Sequence, residues 1–157
     1  MLDAIPGPPL RVVNSVNHEP PPDHFIYITN FVYGCGVPRP DIAFLTGCEC
    51  AEEQCGTGRC SCSSQSTNAM FAGSNSEAGQ YTAQGRLRIV SGRQPFIYEC
   101  NQTCTCSTST LNCKNRVIQR GRTVPLEIFQ MGDARGWGVR AISHIPAGTF
   151  IDLYYGE

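Results

Sequence analysis

Ten cysteines stand in this chain, and nine of them lie between Cys48 and Cys113. The first five run Cys48-x-Cys50-x4-Cys55-x4-Cys60-x-Cys62, and the other four run Cys100-x3-Cys104-x-Cys106-x6-Cys113. A Cys-x-Cys pair sets two sulfurs close together whatever the local backbone does, so the pattern reads as a ligand set for soft metal ions. Structural zinc takes four ligands in a tetrahedron. Two ions would use eight thiolates and leave one spare. Three ions need twelve coordination positions, which six terminal thiolates and three bridging ones fill. Nine cysteines thus close a three-zinc set, and His18, His24 and His144 all fall outside it. An ordinary zinc finger separates the members of a ligand pair by two to four residues, and the one-residue spacing departs from that. The alternatives are disulfides or a loose metallothionein-like trap. The sequence shows no route to an oxidising compartment, and thiols kept reduced read as metal ligands. Cys35, in Tyr33-Gly34-Cys35-Gly36, reads as a bystander.

Nine thiolates against three divalent ions carry a surplus of negative charge, which takes the formal net charge of -1 to about -4 when loaded. Arg59, Lys114 and Arg116, adjacent to ligands in sequence, are the cations placed to offset it. Residues 114–140 hold six bases (Lys114, Arg116, Arg120, Arg122, Arg135, Arg140) against Glu127 and Asp133. Such a run suits nucleic-acid contact, although most are simply a solvated face.

The elements that must hold these residues are short. The chain has 157 residues, room for one domain or one domain and part of another. Its 41% hydrophobic content is too high for a disordered chain, while 16 Gly and 11 Pro argue against a helical bundle. No apolar run approaches the roughly 18 residues of a membrane span. The start, MLDAIPGPPL, lacks the basic-then-apolar layout of a secretory signal. Leu10–Val13 reads as an extended segment between proline turns, and FIYITNFVYG (25–34) as a strand that GVPRP breaks. Residues 63–85, rich in Ser, Gly, Ala, Gln and Asn, read as a disordered insertion. RLRIV (86–90), FIYE (96–99), VPLEIF, GWGVRA and TFIDLYY read as short strands, with no helical period sustained over three turns.

The cysteine pattern and its flanks resemble the pre-SET domain of heterochromatin-type, fungal-like histone H3 lysine-9 methyltransferases. RVVNSVNHEPPP, FVYGCGVPRP, FLTGCEC, FIYECNQTCTC, NCKNRV and RGRTVPLEIF follow the family segments in family order, and the resemblance runs from Leu10 to Glu157. It lapses in the low-complexity insertion, in STSTLN between Cys106 and Cys113, and by one residue in Met131-Gly132-Asp133-Ala134. The resemblance implies that Cys48, Cys50, Cys55, Cys60, Cys62, Cys100, Cys104, Cys106 and Cys113 bind three zinc ions as a triangular cluster. It implies that Arg135, Gly136 and Trp137 belong to an S-adenosylmethionine-binding turn, and that Tyr154 lines the channel for the substrate lysine.

The fold expected is an irregular small zinc-cluster domain with short β-strands and little helix, followed by the first strands of an incomplete SET fold. Residues 1–47 would form an N-terminal extended segment and strand, 48–113 the zinc-cluster domain, and 114–157 the start of the SET domain. The function implied is S-adenosylmethionine-dependent methylation of histone H3 lysine 9, in the nucleus, with the histone H3 tail and nucleosomal chromatin as partners and no membrane. Glu157 precedes the family's Asn-His cofactor motif, its second active-site tyrosine and its terminal cysteine-rich zinc site, so the stretch is expected to be inactive alone. The alternative is a non-catalytic zinc-cluster scaffold or chromatin-interaction module.

Overall fold

Leu10-Arg11-Val12-Val13 places two β-branched residues in succession and forms a strand, β1 (Leu10–Val13). The computed structural model describes residues 5–21, 27–51, 54–70, 78–88, 96–106, 113–132 and 134–155. In it, β1 pairs in parallel with β2 (Leu126–Gln130), setting Leu10 opposite Leu126 and Val13 opposite Phe129. β2 pairs antiparallel with β3 (Trp137–Ala141), setting Gln130 opposite Trp137. The order is β1-β2-β3, so β2 is central. Its side chains alternate as a half-buried strand requires, with Leu126 and Ile128 inside together with Val124. On the other face Arg140 pairs with Glu127 across the β2–β3 ladder and lies 4.5 Å over the Phe129 ring. The β2–β3 connection closes with Met131 N–H donating to Gly136 O at 2.8 Å.

The chain divides into two compact units. One comprises Met1–Val37, Gly121–Pro146 and Ile151–Glu157, and holds the sheet; the other comprises Pro38–Arg120 and Ala147–Phe150, and holds the cysteine block. The second unit reaches beyond 48–113 because its flanks are tied to the block. Asn101 Nδ2 donates to Thr46 O at 3.0 Å, and Glu99 accepts from the backbone of Ile118 and from the Gln119 side chain. Leu87 N–H donates to Gly148 O at 2.7 Å.

Among its described residues the second unit has almost no aliphatic core. Its buried cluster is sulfur: Cys48, Cys55, Cys60, Cys62, Cys100, Cys104, Cys106 and Cys113, all 4% exposed or less. The largest fully buried side chains include Gln80 and Asn115, which are polar. A fold of this kind needs crosslinks or ions, because so little apolar area leaves water.

Several expected elements differ. Residues 61–70 form helix α1 (Ser61–Met70), so disorder across 63–85 does not hold for 63–70, nor for 78–85, which fold back as a turn with Gly85 N–H donating to Thr82 O. The helix escaped detection because its buried face is Cys62, Ser63 and Ser66 rather than an apolar stripe. Residues 27–34 and 96–99 are not strands, and 86–88 contribute only the isolated bridge Tyr81↔Leu87. Residues 149–155 are irregular as well: Ile151 and Leu153 lack a paired neighbour, and β-propensity without a ladder partner does not make a strand. Residues 22–26, 71–77 and 89–95 lie outside the described residues, with parts of the expected strands and insertion. Among the described residues no helix is long and apolar enough to cross a membrane.

Candidate metal centre

The two halves of the cysteine block meet face to face. Cys48 Sγ lies 3.7 Å from Cys100 Sγ, Cys60 Sγ 3.9 Å from Cys100 Sγ, and Cys62 Sγ 3.7 Å from Cys104 Sγ. These separations are far beyond the ~2.05 Å of a disulfide. A tetrahedron with Zn–S bonds of about 2.3 Å has sulfur–sulfur edges of about 3.8 Å. All nine cysteines are free thiols, and the donor set fits zinc.

Three groups of four sulfurs could each hold a metal ion. They are Cys48, Cys62, Cys100 and Cys104; Cys48, Cys55, Cys60 and Cys100; and Cys55, Cys100, Cys106 and Cys113. Within each group the sulfurs all lie within 4.8 Å of one another. Cys48 and Cys55 each serve two groups, and Cys100 serves all three. Cys50 belongs to none; it is half-buried and packs against the cluster. Cys35 is exposed and His18 and His144 are in no group, while His24 lies outside the described residues.

The local chain explains how sulfurs separated by some 50 residues converge. Thr105 N–H donates to Cys48 O at 3.0 Å and Thr105 Oγ1 to Cys50 O at 2.8 Å, stitching the second Cys-x-Cys to the first. Backbone N–H groups of Cys48 and Asn101 point at Cys104 Sγ, at 3.3 and 3.2 Å. Cys60 immediately precedes α1, and Ser64 N–H donates to Cys60 O at 2.8 Å. The Arg116 guanidinium lies 3.5 Å from Cys106 Sγ, as its proximity to the ligands suggested, and Lys114 is exposed.

Protons do not satisfy this cluster evenly. Burial pushes the Cys48 and Cys55 thiols up, and Cys62 up to about 12, with neighbouring sulfurs adding to the shift. A hydrogen bond from Cys100 draws Cys60 down to about 4. Although burial opposes it, Cys104 is drawn down as well by backbone N–H groups of Cys48 and Asn101, and Cys106 by the Arg116 guanidinium, so some sulfurs take charge at their neighbours' expense. Divalent cations bound among them would relieve all of them together.

The other expected site residues lie in the sheet unit. Arg135 is exposed, Gly136 stands at φ +70° with open space where a Cβ would project, and Trp137 begins β3, half-buried. Tyr154 is fully exposed at the rim of an apolar hollow of about 440 Å³ lined by Leu10, Ile128, Val139 and Leu153 among others. Its neighbour Tyr155 packs edge-on against Phe31, with ring centroids 5.1 Å apart. The basic run is largely committed internally: Arg116, Arg120 and Arg122 bind backbone carbonyls and Arg140 binds Glu127. Sequence reasoning missed Asn115, buried against Cys100 Sγ, and Gln80, buried behind it. Asn115, two residues past a ligand, was the only available signal.

The sequence family described as the pre-SET motif matches residues 4–116. The Schizosaccharomyces pombe protein named histone-lysine N-methyltransferase, H3 lysine-9 specific, is 42% identical over 162 residues, covering 99% of this chain and 30% of its own. The Neurospora crassa protein named histone-lysine N-methyltransferase, H3 lysine-9 specific dim-5, is 37% identical over 164 residues, covering 95% and 47%. The chain thus spans less than half the length of these curated relatives. Among solved structures, the Neurospora SET domain protein DIM-5 superposes with a TM-score of 0.69 at 35% identity, over 95% of this chain and 55% of that one. Arabidopsis thaliana SUVH6, solved in complex with SAM, gives 0.64 at 32% identity, over 94% and 27%.

Proposed function

The chain belongs to the pre-SET family, and on that footing we propose that it is the zinc-cluster scaffold and opening strands of an S-adenosylmethionine-dependent histone-lysine N-methyltransferase. Its substrate is lysine 9 of histone H3, in nuclear chromatin. The observation that carries the reading is the sharing of sulfurs among the three groups, in a chain whose relatives bear that activity in their names.

Three ions would be held with Cys48, Cys55 and Cys100 shared between sites. Cys62 and Cys104 complete the first site, Cys106 and Cys113 the third. Cys60 would complete the second, with Cys50, packed against the cluster, as its fourth ligand in place of Cys100. Zinc supplies the tetrahedral crosslinks that a sulfur-rich core lacks, on the order of 10 kcal/mol or more of folding energy per structural ion. The protein's part is to present nine converging thiols and the Arg116 charge.

S-adenosylmethionine, when bound, supplies the methyl group. Gly136 exposes backbone on which the amino-acid part of that cofactor can rest, beside Arg135 and the flat apolar face of Trp137. The Tyr154 hydroxyl orients the lysine amine and helps exclude water. The stretch carries only these opening parts of a catalytic site, so the 157-residue chain is inactive in isolation.

Native mass spectrometry of the purified chain should show three zinc ions, and a strong chelator should abolish its cooperative unfolding. Two ions, or disulfides in place of metal, would overturn the cluster. The native protein, captured by an antibody to the cysteine block, should methylate an H3 tail peptide at lysine 9, whereas the 157-residue chain should not. A captured protein that binds chromatin without methylating it would favour the scaffold reading.

A further inference from the structure

Gln80 and Asn115 are completely buried, and they touch each other. Gln80 Nε2 donates to Asn115 Oδ1 at 2.8 Å. Asn115 Nδ2 in turn lies 3.5 Å from Cys100 Sγ, the sulfur common to all three groups, and donates to Tyr98 O at 3.2 Å. Gln80 Nε2 reaches the same carbonyl at 3.3 Å. The relay runs from residue 80 through residue 115 to the sulfur of residue 100.

Burying two amides in a domain with so little apolar core is costly unless their groups are used. Gln80 Oε1 has no hydrogen-bond partner among the described residues. The amide is therefore held for what its N–H group does: it fixes Asn115 Oδ1 as the acceptor, which turns Nδ2–H toward the thiolate. Gln80 is itself locked. Arg88 N–H donates to Gln80 O at 2.8 Å and Arg88 Nε to Gly79 O at 3.0 Å. Gly79 lies so near Gly56 O that no side chain fits. Ser66 of α1 holds the other end of Tyr98, accepting from its N–H at 2.7 Å.

We infer that Asn115, oriented by Gln80, is a positioning residue for the metal centre: it holds the Cys100 thiolate as the corner shared between metal sites, and segment 78–88 is the latch that fixes it. This rests on the three-metal reading above. Groups that orient a metal ligand from behind carry a measurable share of metal affinity, commonly 10- to 100-fold.

The test uses the full chain loaded with cadmium-113. The wild-type spectrum should show three resonances. Asn115→Leu should shift the two whose metals share Cys100 and leave the third, held by Cys48, Cys50, Cys55 and Cys60, in place. Gln80→Met, which keeps the volume and sits away from the metal, should move the same two by less. With a competing chelator, Asn115→Leu should release metal about 10- to 100-fold faster. The double variant should be no faster than Asn115→Leu, because Gln80 acts through Asn115. Equal movement of all three resonances, no movement, or additive release rates would overturn the relay. Fewer than three wild-type resonances overturns the three-metal reading alone, and the relay then stands or falls on the release rates.

Discussion

The Arg116 guanidinium faces Cys106 Sγ at 3.5 Å while binding Asn101 O through the same nitrogen and Gln119 Oε1 through the other. One buried cation thereby joins the metal shell to the two segments that flank it. Neighbouring thiolate charge holds its proton more firmly than usual although burial opposes that. Replacing it removes charge-assisted hydrogen bonds worth about 1.5–3 kcal/mol each and leaves the cluster's surplus negative charge unmet. Arg116→Gln should lower the stability of the zinc-loaded chain by about 2–4 kcal/mol in denaturant unfolding. Arg116→Lys should recover only part of this, since an ammonium cannot span all three acceptors. A wild-type midpoint for Arg116→Gln would show that the cluster needs no such cation.

Gly79 is fixed by contact rather than by turn geometry. A Cβ there would lie 1.6 Å from Gly56 O and 2.4 Å from Gly56 C, both backbone atoms that cannot swing aside. Gly79→Ala must therefore push residues 54–57 and 78–80 apart, which displaces Gln80 from its buried place. A loss on the order of 3 kcal/mol is expected, with faster metal release. The measurement is chemical unfolding of the loaded chain beside the wild type. A wild-type midpoint for Gly79→Ala would refute the packing argument.

Much of the metal centre was legible because its information is local. A Cys-x-Cys pair converges its sulfurs without help from the rest of the fold, and the structure gathers eight of the nine cysteines into groups that could hold metal. The shared roles of Cys48, Cys55 and Cys100 were not legible, since they depend on how Cys48 meets Cys100 across an intervening segment. Helix α1 was hidden for the same reason: cysteine and serine face the sulfurs where a periodic search expects leucine. β2 and β3 were read well because Leu126 and Ile128 alternate with half-exposed neighbours. The strands expected at 27–34 and 149–155 have the residue types without a ladder partner, and sequence cannot supply the partner.

Tyr81 offers a titration handle in the cysteine unit. Its hydroxyl donates to Glu99 Oε1 at 2.8 Å, and both burial and that carboxylate push its ionisation above the ordinary value of 10.0. A raised folded value means that its contribution is fully present below about pH 10 and is lost as pH rises through the folded value. Absorbance at 295 nm should show Tyr81 ionising only with alkaline unfolding, a contribution missing from Tyr81→Phe, while Tyr27, held up by burial and Asp152, is delayed in both. The variant should also be destabilised by about 1 kcal/mol at neutral pH, because Glu99 loses a donor. A normal titration of all six tyrosines in the folded chain would contradict the buried pair.

Asp152 holds the sheet unit together from outside the sheet. Its Oδ2 accepts from Tyr27 OH at 2.8 Å and lies 3.5 Å from Arg122 Nε, whose side chain is 1% exposed. Arg122 also donates to Val124 O at 2.8 Å and Pro8 O at 2.6 Å, so a single guanidinium ties the N-terminal segment to the entry of β2. Removing the carboxylate strands that cation. Asp152→Ala should cost about 3 kcal/mol or more, because an uncompensated buried charge is expensive. Asp152→Asn keeps an acceptor for Tyr27 and should cost less. Arg122→Met with Asp152→Leu removes both charges together and should be milder than Asp152→Ala alone. Thermal unfolding of the three variants decides it: a double variant at least as unstable as Asp152→Ala would mean that the carbonyl contacts of Arg122, and not its pairing with Asp152, hold this unit.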